Sequence, residues 1–316
     1  MISEQAPSWE AGVVPVTVGV CAYNEERRIS GALESILAQR PEEPFSVTEV
    51  IVVASGCTDG TEQIVEAWSR RDPRVILVKE PTRAGKSHAL NAIFGKAHGE
   101  IIVSVNADAT LMPNALGRLL ALFAASSRVQ LACGAPIPPA ENDGLVGIAT
   151  QLQWRLHNRT LATLSSLGMP NHCCDEFMAM RRGFVETLPA ELVNDGAYLA
   201  AFAVSRNTFA VFCETAQVVV DPPRDLRGYL IQRRRILRGH RQVEALARRP
   251  PITLERLIRR HPELATRILV REVLTGPASV LAFAFLLLPL EATALIAASF
   301  DQLLRRPYEP IWRMVD

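Results

Sequence analysis

VTVGVCAYNEERRISGALESIL, residues 16–37, changes geometry at its middle. Its first seven residues are short, apolar and partly β-branched, the composition of a strand covered on both faces. From Ile29 onward Ile29, Leu33, Ile36 and Leu37 fall on one side of a 3.6-residue helix. A polar joint, Tyr23-Asn24-Glu25, separates them. The same unit recurs: EVIVVAS (49–55) reads as a second strand, and Asp59 or Thr61 is available to cap the helix after it. RVILVKE (74–80) and EIIVSVNA (100–107) read as two more strands, with a helical segment between Gly85 and Lys96. Strands alternating with helices predict an α/β fold of Rossmann-like type, a mostly parallel sheet flanked by helices.

Composition narrows the classes of function. The 316 residues hold 34 basic and 33 acidic side chains, a net charge of +1, which argues against a nucleic-acid binder. Six cysteines without repeating spacing, and no basic stretch followed by an apolar run at the N-terminus, point to a reducing, cytoplasmic compartment. Beyond Gly134 the alternation weakens. A long helical stretch around QLQWRLHNRTLATL (151–164) follows, then residues 224–271 with 14 arginines, then an apolar segment at 277–300 interrupted by Pro289 and Glu291. The chain thus divides into a nucleotide-binding region (1–134), an acceptor-binding and catalytic region (135–241) and a basic, apolar, helical C-terminal region (242–316). The last suits either solvated helices on the protein or contact with the inner face of a membrane, and 277–300 suits a span or a docked helix equally.

Parallel sheets bind ligands beyond the carboxyl ends of their strands, and four polar clusters stand there. They are Ala22, Tyr23, Asn24 and Glu25; Ser55 through Asp59; Arg83, Gly85 and Lys86; and Asn106, Ala107 and Asp108. An aromatic beside an amide and a carboxylate can hold a base and ribose. Arg83 and Lys86 supply positive charge for a diphosphate near a helix N-terminus.

VGVCAYNEERRISGALESIL, SGCTDGT, RAGKSHALN and VSVNADA stand in the order and spacing of glycosyltransferase family 2, and the chain resembles that family to about Arg241. The resemblance implies a GT-A fold and an inverting enzyme that moves a sugar from a nucleotide diphosphate donor to an acceptor hydroxyl. It implies a divalent cation, Mg²⁺ or Mn²⁺, at the Asp-x-Asp motif, here Asn106-Ala107-Asp108, so that Asp108 is the expected ligand and Asn106 contributes a neutral oxygen. The family's base is an aspartate before a helix and after a strand ending in paired arginines. FMAMRRGF and LVNDGAYLA make this Asp195, with a helix cap as its alternative role. Gln232, Arg234 and Arg235 resemble the Gln-x-x-Arg-Trp motif with Ile236 in place of tryptophan, which implies diphosphate binding and a single transfer. His240 is placed as a third metal ligand or a surface histidine, and Glu176, in the run His172-Cys173-Cys174-Asp175-Glu176, as an acceptor contact. Ala54 and Ser55 replace an aspartate pair that bonds uracil, so a UDP-sugar is the default donor with other bases open. The acceptor includes lipid-linked compounds among its candidates. Two other readings remain: a nucleotidyltransferase or related transferase on the same sheet, or a non-catalytic nucleotide-sugar-binding protein.

Overall fold

A computed structural model describes residues 12–139, 144–276 and 278–308, with side chains from 278 to 288 left out. One eight-stranded sheet carries the molecule, in the order β3-β2-β1-β4-β7-β6-β8-β5. Its centre is β1 (Val14–Ala22), parallel to β2 (Phe45–Ser55) on one side and β4 (Ile101–Asn106) on the other. Val16, Val18 and Val20 are fully buried on one face, and Ile51 and Val53 of β2 on the other. This is why these strands read as unbroken apolar runs. At the edge, β3 (Val75–Glu80) pairs with β2 and reverts to a mixed pattern of burial.

Helices α1 (Ile29–Leu37), α2 (Thr61–Arg71) and α3 (Lys86–Lys96) make the crossovers of the first region. Residues Ile29, Leu33 and Ile36 of α1 join the core on one face, as their spacing predicts. Ala89, Leu90 and Ile93 of α3 join the core on the other. Past β4 come β5 (Ala109–Leu111), α4 (Ala115–Ala125) and β6 (Leu131–Ile137), then α5 (Gly144–Ser166) and β7 (Phe177–Arg181). The boundary expected at Gly134 lies inside β6, so residues on both sides of it share one sheet.

β7 inserts between β4 and β6 and runs antiparallel to both, pairing Val105 with Phe177. An antiparallel strand brings its entrance, not its exit, to the end where β1, β2 and β4 finish. Asp175 and Glu176, just before β7, therefore stand beside Asn106, whose N–H donates to the Glu176 carbonyl at 3.1 Å. Next are α6 (Asp195–Ser205) and β8 (Val211–Val220).

The C-terminal region is α7 (Leu226–Ala247), α8 (Leu254–Arg260), α9 (Pro262–Thr275) and α10 (Ala278–Leu303). Much of its positive charge is used internally. Arg233 makes two 2.7 Å hydrogen bonds to Glu291, to which Tyr229 also donates, and Arg234 donates to Asp301 at 2.6 Å. Glu291, the single acid in the apolar segment 277–300, is thus the partner that docks α10 on α7. Arg155 and Arg159 of α5 hold Glu272 of α9 in the same way. Among the described residues no helix is long and apolar enough to cross a membrane.

Candidate active site

The first wall is built by β1, β2 and the loop before α3. Asn24 adopts a left-handed conformation, φ 53°, which turns its amide onto the next strand-helix joint. There its Oδ1 accepts from the Thr58 N–H at 2.8 Å and its Nδ2 donates to Thr58 Oγ1 at 3.1 Å. The amide expected to hold ribose is instead a clasp between two loops. Asp59 accepts from the Thr61 N–H at 3.0 Å and caps α2, as its position suggests. Gly56 has φ +64°, and a Cβ there would lie 2.4 Å from the Arg83 nitrogen. Only glycine lets the two loops meet so closely. Ser55 is buried and accepts from the Ala84 N–H at 3.3 Å, fixing the same loop. With the loop held there, the Arg83 guanidinium lies 3.6 Å from the centre of the Tyr23 ring. A flat cation on an aromatic face is a platform suited to a base or a phosphate.

The second wall is acidic. Asp108, one third exposed, follows β4 and the buried Ala107. Arg28 lies 3.7 Å from Asp108, 3.4 Å from Asp221 after β8, and 4.0 Å from Glu25. Burial, then the charge of Asp108, push the Glu25 carboxyl up to about 7. Carboxylates gathered this closely present hard oxygens and an excess of negative charge, the donor type that Mg²⁺ and Mn²⁺ favour. Among the described residues no three His, Cys, Asp or Glu side chains form a ready metal cage. That is compatible with a cation held by one or two carboxylates and completed by phosphate oxygens and water.

The third wall holds Asp195. Asn194, not Asp195, is the N-cap of α6, accepting from the Ala197 N–H at 2.9 Å. Asp195 is left as the first helical residue, buried, its carboxylate turned inward. Lys86 Nζ stands 3.2 Å from Asp195 Oδ2, 3.1 Å from Asp175 Oδ2 and 3.2 Å from the Asp175 carbonyl. The Asp195 contact is an ion pair without hydrogen-bond alignment, since Oδ2 has no hydrogen-bond partner. Burial and the charge of Asp175 raise the Asp195 carboxyl to about 7, with Lys86 pulling the other way. Burial opposes ionisation of Asp175 as well, but Lys86, Asp195 and Arg235 together outweigh it and keep that carboxyl below its usual range. Lys86 therefore differs from its expected role as a diphosphate ligand: it is the counter-charge of an aspartate pair.

Arg235 of α7 joins the walls. Burial lowers its pKa, while Asp175, Asp195, Glu176 and Asp108 all act to raise it. Asp108 and Asp195, far apart in sequence, thus act on one guanidinium. The other α7 residues go elsewhere. Arg234 is taken by Asp301, a correction to its expected diphosphate role, and Gln232 is half-buried on the same helix. His240 is neither on the surface nor in a metal cage: its ring packs against that of His172. Glu176 is half-buried, accepts from the Cys174 thiol at 2.9 Å, and is raised to about 8 by desolvation and by Asp175. Sequence reasoning missed Asp175, Arg28 and Asp221 as site residues. Asp175 stands just before a strand that runs against its neighbours, and no local sequence signal marks that direction.

Known proteins resemble the chain in sequence and in fold. The dolichyl-phosphate beta-glucosyltransferase ALG5C of Trichomonas vaginalis is 35% identical over 99 residues, 30% of this chain. The succinoglycan biosynthesis protein ExoO of Rhizobium meliloti is 38% identical over 109 residues, 34% of this chain. Each match spans 29% of the relative. The mannosyltransferase PcManGT of Pyrobaculum calidifontis, solved in complex with GDP-Man and Mn²⁺, superimposes with a TM-score of 0.67 at 25% identity, covering 94% of this chain and 89% of that one. The sheet with its flanking helices is the GT-A architecture the motifs imply. The four motif-bearing joints lie within residues 17–188, the stretch matched by the model of Glycosyl transferase family 2, and with more than half of its length so matched the chain belongs to that family.

Proposed function

We propose that the chain is an inverting glycosyltransferase that moves one sugar from a nucleotide diphosphate sugar to an acceptor hydroxyl, with Asp195 as the base. The single observation that carries this reading is the state of Asp195: buried, relieved of capping by Asn194, and raised to about 7. A base of that strength is ionised in part at neutral pH and accepts a proton readily. The acceptor O–H donates to the Asp195 carboxylate as its oxygen attacks the anomeric carbon, and the bond to the diphosphate oxygen breaks on the opposite side. Asp195 leaves the step protonated, and the nucleoside diphosphate leaves as an anion.

The remaining residues bind and orient. The Tyr23–Arg83 platform takes the nucleotide end, and Arg235 meets the diphosphate from α7. Asp108, with Glu25 next to it, would hold a divalent cation, which supplies charge neutralisation for the diphosphate. UDP-sugars are the first donors to test. GDP-sugars stand beside them, because PcManGT was solved with GDP-Man.

The exposed face of α9 supports a membrane-surface location. Leu269, Val270, Val273 and Leu274 project to solvent there, with Arg267 and Arg271 on the same helix. Apolar side chains flanked by arginines suit an anionic bilayer surface, and a lipid-linked acceptor would be met there.

The test is donor turnover by purified protein with Mg²⁺ or Mn²⁺ and a panel of nucleotide sugars, scored by release of nucleoside diphosphate. Asp195→Asn is expected to cost about 10²–10⁴-fold in rate with donor binding retained, and Asp108→Ala to abolish metal-dependent donor binding. Release of pyrophosphate from a nucleoside triphosphate would instead favour nucleotidyl transfer.

A further inference from the structure

A row of four rings lies beside Asp195 and takes no part in the chemistry above. Trp154 and His157 on α5, His172 in the loop before β7, and His240 on α7 meet edge to face, with successive ring centres 5.4, 5.7 and 5.4 Å apart. Two close backbone contacts fix the row against the base. A Cβ on Gly239 would lie 2.9 Å from Asn194 Cβ, so α7 abuts the residue before Asp195. A Cβ on Gly196 would lie 2.4 Å from the Cys173 carbonyl, so the His172 loop abuts the residue after it. The chain neighbours of His240 and His172 thus touch the residues on either side of Asp195, and Asp175, its companion carboxylate, acts on all three histidine rings.

Their nitrogens are unspent. His157 Nε2, His172 Nδ1 and His240 Nε2 are buried without a hydrogen-bond partner, and so is Asn158 Oδ1. Buried polar atoms nearly always have partners, and four in one neighbourhood call for a ligand or solvent that supplies them. We propose that this row is the acceptor wall of the site, shaped to bind an uncharged polyhydroxy compound, a sugar ring or polyol, by ring packing and imidazole–hydroxyl hydrogen bonds. The proposal rests on the reading of Asp195 as the base that receives an acceptor proton.

The chemistry of the wall selects the class of ligand. A neutral imidazole has one donor and one acceptor nitrogen, the same pairing capacity as a hydroxyl group. Burial keeps all three rings neutral: it brings His157 down to about 3 and His172 to about 4, and holds His240 well below its ordinary value. Among the described residues the cation that acts on these rings, Arg233, is engaged by Glu291 and lies near Glu255, while Asp175 adds negative charge. A phosphate group would find repulsion and no open cation on this wall, whereas hydroxyls lose nothing. A metal does not fit either, because the rings meet edge to face and form no group able to hold one.

The test uses the full chain labelled with ¹⁵N at histidine, with nucleoside diphosphate and Mg²⁺ present. Methyl glucoside, methyl mannoside, methyl galactoside and myo-inositol are titrated against the corresponding sugar 6-phosphates. Long-range ¹H–¹⁵N spectra of the imidazoles are expected to show neutral rings whose shifts move, saturably, with at least one uncharged probe and not with the phosphates. His157→Phe and His240→Phe keep the ring and lose the nitrogens; each is expected to weaken that probe about tenfold with nucleoside diphosphate binding unchanged by thermal shift. His240→Gln, which restores one polar atom, is expected to fall between. If no uncharged probe moves the imidazole signals, or the phenylalanine variants bind the probe as tightly as the parent, the acceptor wall is refuted. Loss of nucleoside diphosphate binding in the parent would strike the donor reading instead, and the two failures are read from different signals.

Discussion

Replacing Lys86 by methionine removes one charge and keeps most of the side-chain volume. Its ammonium lies 3.2 Å from Asp195 Oδ2 and 3.1 Å from Asp175 Oδ2. Two unit charges at that separation in an effective dielectric of about 20 attract by about 5 kcal/mol. Water entry and the response of Arg235 absorb a share. If about half survives, Asp195 moves up by about two pH units, from about 7 toward about 9. The ionised fraction at pH 7 then falls from about one half to about one in a hundred, and the rate at that pH falls on the order of 50-fold. The assay is nucleoside diphosphate release under saturating donor and acceptor, followed from pH 5.5 to 9.5. The acid limb of the profile is expected near pH 7 in the parent, displaced upward in Lys86→Met, and close to the parent in Lys86→Arg, which keeps the charge. An unmoved acid limb in a folded Lys86→Met variant would show that Asp195 is not the base or that Lys86 does not set its proton affinity.

Stability should fall between pH 6.5 and 8. Glu25, Asp195 and Glu176 have folded values raised to about 7, 7 and 8, so in that window the native chain holds protons the unfolded chain has lost, and the slope of stability with pH is negative. The loss is on the order of 2 kcal/mol, measurable by urea unfolding, and Glu176→Gln should flatten it; a rise across that interval would contradict the burial of these groups. Below pH 6.5 the sign reverses for His157, His172 and His240, whose depressed values make the native state lose stability as acid charges them in the unfolded chain. Gly56→Ala places a Cβ 2.4 Å from the Arg83 nitrogen at a φ of +64°; it should cost about 2 kcal/mol and weaken nucleotide binding by separating Arg83 from Tyr23. Unchanged melting and binding would mean that the loop contact does not set the platform. The parent should co-sediment with anionic vesicles and not with neutral ones, and Val270→Asp with Leu274→Asp should abolish this; equal sedimentation of the double variant would remove α9 as the contact.

The parts of the site that were legible in the sequence are those made by one strand and the helix after it. Tyr23, Ser55 and Asp108 each stand where a buried run of valine and isoleucine ends, Arg83 follows an edge strand of mixed burial, and the strand ends are enough to place them at one rim. What a side chain does there depends on partners the local pattern does not contain. Lys86 reads as a phosphate ligand because it opens a helix, yet its carboxylate partner Asp175 is 89 residues away. That meeting depends on β7 running against β4, a choice of direction that neither strand's composition records. The same holds for Arg234, which reads as a diphosphate ligand, and for Glu291, a lone acid in an apolar segment, until α10 folds back on α7 and pairs them with Asp301 and Arg233.

The clearest case is the pair Asn194 and Asp195. Both are residue types that cap helices, and they are adjacent, so composition alone allows either to take the cap and the other to be spare. Gly239 packs against Asn194, and Gly196 against the Cys173 carbonyl, at the place where the helix begins. With Asn194 Oδ1 accepting from the Ala197 N–H, the carboxylate of Asp195 is not used as the cap and lies inside, 3.2 Å from Lys86 and beside Asp175. A helix begun one residue later would spend that carboxylate on the cap and leave a neutral amide facing the acceptor. Which of two neighbouring side chains is available to take a proton thus turns on the single residue at which the helix begins.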